Sequence, residues 1–96
     1  MTDATPVYNI MILEDLKPVA NRLRDSLQSW PSARLLPICP TVQSALTLIK
    51  RERVDILIAD LKLPDGMGTT VIRALQAEQS DAHVIVMTVL NNGPLV

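Results

Sequence analysis

Short apolar runs alternate with segments of helical periodicity along almost the whole 96-residue chain. The pattern predicts strands at residues 8–13, 33–40, 54–60 and 83–90, and helices at residues 16–30, 41–53 and 69–78. Such alternation is typical of a mostly parallel sheet with helices on both faces. A chain of this length has room for one domain. We therefore expect a single three-layer α/β domain.

Two prolines indicate where the second strand lies in this sheet. Pro37 and Pro40 lie in or beside it, and proline cannot donate a hydrogen bond to a neighbouring strand. The other three strands are apolar on both faces, as central parallel strands are. We therefore expect the doubly wound strand order 2-1-3-4, with the second strand at an edge. The first helix is expected to turn its apolar side chains towards the sheet, namely Leu16, Ala20, Leu23, Leu27 and Trp30.

Acidic residues follow two strands that are neighbours in this order. Glu14 and Asp15 follow the first strand, and Asp60 ends the third, in the run "ILIAD". Parallel neighbours lie about 4.8 Å apart and end on the same side of the sheet, so the three carboxylates should converge at the switch point. Each acid alone would more simply be a solvated residue at a strand end. Together they predict a Mg²⁺ site, because a hard cation relieves their repulsion and makes Asp60 a nucleophile towards a phosphoryl group.

The chain resembles the receiver domain of bacterial two-component response regulators over residues 7–92. The stretch "ILED" resembles the acidic pair after the family's first strand, "DILIADLKLPDGMG" its phosphoacceptor loop, and "VIVMT" its fourth strand. The resemblance implies a flavodoxin-like fold. From the residues themselves, we expect residues 1–6, before the first apolar run, to form a flexible N-terminal tail.

The same resemblance implies a role for each matching residue. Asp60 would accept a phosphoryl group from a sensor histidine kinase or a phosphotransfer protein. Glu14, Asp15, Asp60 and the backbone carbonyl of Lys62 would bind Mg²⁺, or Mn²⁺ in its place. Thr88, at the end of the fourth strand, would contact the bound phosphoryl group and so report it.

Three parts of a receiver domain have no counterpart in residues 1–96: the fourth helix, the fifth strand with its lysine, and the last helix. We therefore expect residues 1–96 to be a truncated receiver domain, and a fragment of a longer protein rather than a naturally short one. The fourth strand then becomes an apolar sheet edge without protection. We expect the isolated chain to self-associate through this edge.

Composition and charge exclude other classes of function. A net charge of −1 offers no basic surface for direct nucleic-acid binding. No apolar run approaches the ~20 residues that cross a bilayer, and the N-terminus is not a signal peptide. The single cysteine, Cys39, cannot form an internal disulfide, so we expect a cytoplasmic protein in which Cys39 is a small buried apolar residue.

Three functions remain compatible with these residues. The first is a phosphoacceptor signalling module that is not a turnover enzyme. The second is a non-switching interaction or dimerisation module with the same fold. The third is a phosphatase of the haloacid-dehalogenase kind, which needs an acid two residues beyond the nucleophile. This chain has Lys62 at that position, which disfavours the third function.

Overall fold

The computed structural model describes residues 6–87. Its elements are β1 (Tyr8–Leu13), α1 (Lys17–Gln28), β2 (Ala33–Leu35), α2 (Val42–Arg51), β3 (Ile56–Asp60), β4 (Lys62–Leu63), β5 (Gly66–Met67), α3 (Gly68–Glu78) and β6 (His83–Met87). The predicted alternation of strands and helices is confirmed, and the short antiparallel hairpin of β4 and β5 is an addition that the sequence pattern did not predict.

The main sheet has four parallel strands in the order β2-β1-β3-β6. Because β6 is the fourth predicted strand, the expected order 2-1-3-4 and the flavodoxin-like topology are confirmed. Ile10 of β1 lies opposite Ile56 of β3, which in turn lies opposite His83 of β6. This register brings the C-terminal ends of β1 and β3 to the same edge of the molecule.

The core lies on both faces of the two central strands, because successive side chains of a strand point to opposite faces. One face packs against α2 and α3 in a cluster whose fully buried members include Met11, Ala45, Leu57 and Leu75. The other face, which includes the buried Ile12, lies towards α1. Burial on both faces explains why β1 and β3 are almost continuously apolar.

The second strand is shorter than predicted, although its edge position is confirmed. β2 ends at Leu35, and beyond it the Leu36 and Cys39 amides donate to the carbonyls of Ile10 and Ile12. Cys39 also forms an isolated parallel bridge with Leu13 of β1. Pro37 lies between these two amides and has no N–H to continue the ladder. Cys39 is buried and unpaired, as expected.

The inward face predicted for the first helix is partly wrong. Leu16 is 49% exposed and Trp30 is 39% exposed, whereas Ala20 is buried. The reason is that α1 begins after Leu16 and ends before Trp30, so neither residue follows the helical periodicity. Trp30 instead stacks on Tyr8 at the surface, with the ring centroids 5.9 Å apart.

The outer side of β6 has no partner strand within residues 6–87. Ile85 is 53% exposed and Val86 is 48% exposed, so the strand presents apolar side chains to solvent. None of the helices in the same part of the chain combines the length and apolar character needed to cross a bilayer.

Candidate metal and phosphoacceptor site

The ends of β1 and β3 bring three carboxylates together. Leu13 lies opposite Ala59 in the sheet, so the residues that follow them leave the same edge side by side. One carboxylate oxygen from each of Glu14, Asp15 and Asp60 lies within 4.8 Å of the others. The structure thus places the three acids in the arrangement that the sequence pattern predicts.

Glu14 is the buried member of this acidic cluster, with 1% of its surface exposed. Its Oε2 accepts a hydrogen bond from the Leu16 N–H at 3.0 Å, whereas its Oε1 has no partner among residues 6–87. Burial raises the pKa of Glu14, and the neighbouring carboxylates of Asp60 and Asp15 raise it further, against the lowering effect of the Leu16 amide. A buried carboxylate with an unpaired oxygen beside two other acids lacks both a hydrogen-bond partner and an opposite charge to offset its burial.

A hard divalent cation fits this environment. The donors are all carboxylate oxygens, which Mg²⁺ and Mn²⁺ prefer to nitrogen or sulfur ligands. A bound cation would relieve the repulsion among the three acids, and Glu14 Oε1, which has no partner among residues 6–87, is available to it as a ligand. The acidic cluster could therefore hold a metal ion.

The loop after β3 lies against the acidic cluster. The Lys62 N–H donates to Asp60 Oδ1 at 3.3 Å, and the Lys62 side chain is exposed. At the far end of the loop, the Gly68 N–H donates to the Leu61 carbonyl at 2.8 Å. A side chain at Gly68 would collide with the carbonyl oxygen of Asp60, so glycine is required where α3 begins.

Asp65, at the tip of the β4–β5 hairpin, is a residue of this loop for which the sequence pattern predicts no role. Its carboxylate accepts hydrogen bonds from the Val42 and Gln43 amides at 2.8 and 3.0 Å. These two bonds lower the pKa of Asp65. An aspartate before glycine is a common turn signal, but that signal does not show that the carboxylate binds a distant helix.

A cavity of about 280 Å³ opens beside the acidic cluster, between α1 and the segment that precedes α2. Its lining residues are Glu14, Asp15, Lys17, Ala20, Asn21, Ile38 and Pro40. Glu14 and Asp15 thus form part of the wall of this cavity, and of these two acids only Asp15 is partly exposed. Thr88, the other residue predicted to contact the phosphoryl group, lies outside the described residues.

Comparison with known families and proteins gives consistent matches. The family model described as the response regulator receiver domain matches residues 10–96. The nitrate/nitrite response regulator protein NarP of Escherichia coli is 27% identical over 89 residues, which cover 93% of this chain and 41% of NarP. The DNA-binding transcriptional activator DevR/DosR of Mycobacterium tuberculosis is 24% identical over 82 residues, covering 85% of this chain and 38% of that protein. The chain thus spans well under half the length of these relatives.

Solved structures with the same fold include two response regulators that are each 25% identical to this chain. The MaeR response regulator bound to beryllium trifluoride superposes with a TM-score of 0.77, covering 88% of this chain and 70% of its own. A response regulator from Burkholderia pseudomallei, with a phosphorylated aspartic acid, a calcium ion and citrate, also has a TM-score of 0.77, covering 84% of this chain and 46% of its own.

Proposed function

Because this chain belongs to the response regulator receiver domain family, we propose that Asp60 accepts a phosphoryl group from a sensor histidine kinase or a phosphotransfer protein. The observation that carries the proposal is the convergence of three carboxylates, one of which belongs to the buried Glu14 and has an oxygen, Oε1, without a partner among residues 6–87. Solvated acids at strand ends would not leave a carboxylate oxygen buried without a partner. The arrangement suits a site that is completed by a cation and then by a phosphoryl group.

In the proposed reaction, a carboxylate oxygen of Asp60 attacks the phosphorus atom of a phosphohistidine. The new O–P bond forms as the P–N bond breaks, and the imidazole leaves with the electron pair of that bond and takes up a proton. Glu14, Asp15, Asp60 and the backbone carbonyl of Lys62 would hold Mg²⁺, or Mn²⁺. The ion supplies charge neutralisation for the transferring phosphoryl oxygens. Thr88 is the proposed contact of the bound phosphoryl group.

We propose an acceptor module rather than a turnover enzyme. An aspartyl-phosphate phosphatase of the haloacid-dehalogenase kind needs an acid two residues beyond its nucleophile, and Lys62 stands there with an exposed side chain. A cytoplasmic location belongs to the same proposal, since the partner kinase would have to reach Asp60 there, and the only cysteine is a buried free thiol.

Intact mass spectrometry tests the acceptor role directly. The protein is incubated with Mg²⁺ and a small acyl-phosphate donor, and one added phosphoryl group is expected. Asp60→Asn should show no addition, whereas Asp25→Asn, which removes an exposed carboxylate on α1, should behave like the wild type. Absence of an adduct in a protein that binds Mg²⁺ would favour the non-switching interaction module. Failure to bind Mg²⁺ at all would contradict the proposed metal site.

We also propose that a second copy of this chain pairs with the outer edge of β6. The strand His83–Met87 has no Asp, Glu, Lys or Arg, and apart from His83 its exposed residues, Ile85 and Val86, are apolar. An antiparallel, two-fold pairing centred on Ile85 would place Ile85 opposite its own copy and Val84 opposite Val86, so no like charges would meet. Such pairing would satisfy the free backbone groups of the edge.

Analytical ultracentrifugation tests this self-association. The wild-type chain should sediment with a weight-average mass that rises with concentration in the micromolar range, and Ile85→Lys should keep it monomeric. Val7→Lys adds the same charge at an exposed apolar residue outside β6 and should leave the association unchanged. A wild-type monomer at every concentration would contradict the proposal.

A further inference from the structure

Asp65 reaches across the molecule to the first turn of α2. Its Oδ1 accepts the Val42 N–H, 23 residues away in the chain, and its Oδ2 accepts the Gln43 N–H, 22 residues away. These are two of the amides that an α-helix leaves without a partner at its N-terminus. A negative charge at this end also suits the helix dipole.

The local capping box of α2 does not involve Asp65. Thr41 accepts the Ser44 N–H at 3.0 Å, and the Ser44 hydroxyl in turn accepts the Thr41 N–H at 3.1 Å. This reciprocal pair is a capping box, which is the usual way in which a helix begins. Asp65 therefore adds a second, long-range connection to a helix end that is already capped locally.

The other end of the same hairpin touches the phosphoacceptor. Lys62 of β4 pairs with Met67 of β5, and the Lys62 N–H donates to Asp60 Oδ1 at 3.3 Å. Leu63 packs against the core cluster, and the hairpin tip meets α2 again where Gly66, with φ of 153°, lies next to the Val42 side chain. A continuous set of contacts thus runs from α2, through Asp65 and the hairpin, to the carboxylate of Asp60.

We propose that Asp65 is a positioning residue for the acidic cluster. By tying the hairpin tip to α2, it fixes where the Lys62 amide and carbonyl lie beside Asp60, although Asp65 itself touches neither the metal nor the phosphoryl group. Groups that orient a metal ligand from outside the ligand set commonly affect metal affinity strongly. The inference rests on the proposed function, because it assigns Asp65 a role in that site.

Two variants at Asp65 and one at Thr41 separate positioning from simple helix capping. Asp65→Ala removes both hydrogen bonds to α2. Asp65→Asn keeps one acceptor oxygen, so it should preserve part of the connection between the hairpin and α2. Thr41→Ala removes the local cap of the same helix end and leaves the hairpin connection in place. If Asp65 acted only as a cap, Thr41→Ala and Asp65→Ala would have the same consequences.

The measurements are Mg²⁺ affinity by calorimetry, the initial rate of phosphorylation by a small acyl-phosphate donor, and two-dimensional amide NMR without metal. Asp65→Ala should weaken Mg²⁺ binding and slow phosphorylation by about tenfold, the lower end of the range for lost outer partners of a metal site. The Mg²⁺ affinity and the phosphorylation rate of Asp65→Asn should lie between those of Asp65→Ala and the wild type. Thr41→Ala should stay within about twofold of the wild type in both measurements, although it melts at a lower temperature. The Lys62 amide resonance should move in Asp65→Ala and stay in place in Thr41→Ala.

The inference would be overturned if Asp65→Ala and Thr41→Ala lost Mg²⁺ affinity and phosphorylation rate equally. It would also be overturned if Asp65→Ala kept the Mg²⁺ affinity and phosphorylation rate of the wild type. A wild-type protein that neither binds Mg²⁺ nor gains a phosphoryl group would overturn the proposed function instead. In that case the metal-free NMR comparison still decides whether Asp65 holds the Lys62 amide in place, so the two failures are distinguishable.

Discussion

Replacing Glu14 with glutamine is expected to stabilise the metal-free protein and to weaken its response to Mg²⁺. Most substitutions of a fully buried residue destabilise a protein, so the predicted sign is a demanding test. The reason lies in the surroundings of Glu14, which is buried, has an oxygen without a partner and lies within 4.8 Å of two other acidic groups. Glutamine has nearly the same shape and keeps an oxygen for the Leu16 N–H, but it carries no charge.

The magnitude follows from the distances. Two unit charges 4.8 Å apart repel by about 3.5 kcal/mol at an effective dielectric of 20, and by about 0.9 kcal/mol in bulk water. Asp15 and Asp60 are partly exposed, which brings each pair towards the lower figure. A gain of about 1–3 kcal/mol in the free energy of unfolding is therefore expected at neutral pH.

The sign of the pH dependence follows from the raised pKa of Glu14. The folded protein binds the Glu14 proton more tightly than the unfolded chain does, so ionisation of Glu14 costs stability as the pH rises through the folded-state pKa. Below the ordinary glutamate pKa of about 4.5, both states are protonated and this cost is absent. The advantage of Glu14→Gln should thus be largest at neutral pH and should disappear below about pH 4.

Urea unfolding followed by circular dichroism provides the assay. In EDTA at pH 7 the midpoint of Glu14→Gln should lie above that of the wild type by about 0.3–3 M, for a typical slope of about 1–3 kcal/mol per M. Mg²⁺ at a hundred times its dissociation constant should stabilise the wild type by about 2.7 kcal/mol, and a variant with tenfold weaker binding by only about 1.4 kcal/mol. Glu78→Gln, at an exposed position on α3, should change stability by less than about 0.5 kcal/mol. A lower midpoint for Glu14→Gln in EDTA would refute the reasoning, because it would show that the charge of Glu14 is already compensated without a metal.

Three further predictions concern hydrogen bonds and close contacts elsewhere in the domain. Gly68→Ala should lower the free energy of unfolding by about 1–3 kcal/mol and prevent the phosphoryl adduct, because the added methyl group would collide with the Asp60 carbonyl; an unchanged urea midpoint would contradict this. Gln79→Ala should cost about 2–3 kcal/mol in urea unfolding, because its side chain makes three hydrogen bonds of about 1 kcal/mol each, one of them with the buried Val54 amide. Hydrogen bonds lower the pKa of Asp65, so its contribution should be complete above about pH 4 and be lost as the pH falls through the folded-state pKa. The amide resonances of the first turn of α2 should follow that titration in the wild type and not in Asp65→Ala.

Local signals in the sequence were sufficient for the arrangement of strands and for the acidic cluster. The apolar runs of β1 and β3 predicted central strands because burial on both faces requires apolar residues throughout. Pro37 predicted the edge position of β2 because a missing N–H is a property of the residue itself. The strand order then brings Glu14 and Asp60 together, since parallel neighbours end at the same edge.

Element boundaries were less well predicted where an apolar residue lies just outside an element. Leu16 and Trp30 continue the apolar periodicity of α1, yet both lie beyond its ends and are substantially exposed. Residues 36–40 continue the apolar run of β2, but the ladder stops at Leu35 and only single contacts with β1 follow. The spacing of apolar residues indicates which positions favour burial. It does not indicate which backbone N–H and C=O groups form hydrogen bonds.

The sequence by itself determined which strands are apolar on both faces, which strand lies at an edge and which residues stand at the strand ends, because burial and backbone chemistry are properties of each residue and its immediate neighbours. Only the tertiary structure decided the long-range polar contacts. Asp65 binds amides 22 and 23 residues away, and the Gln79 side chain binds the Ile49 carbonyl 30 residues away. A hydrogen bond needs its donor and acceptor within about 3 Å, and that distance depends on how the helices pack on the sheet rather than on any spacing along the chain.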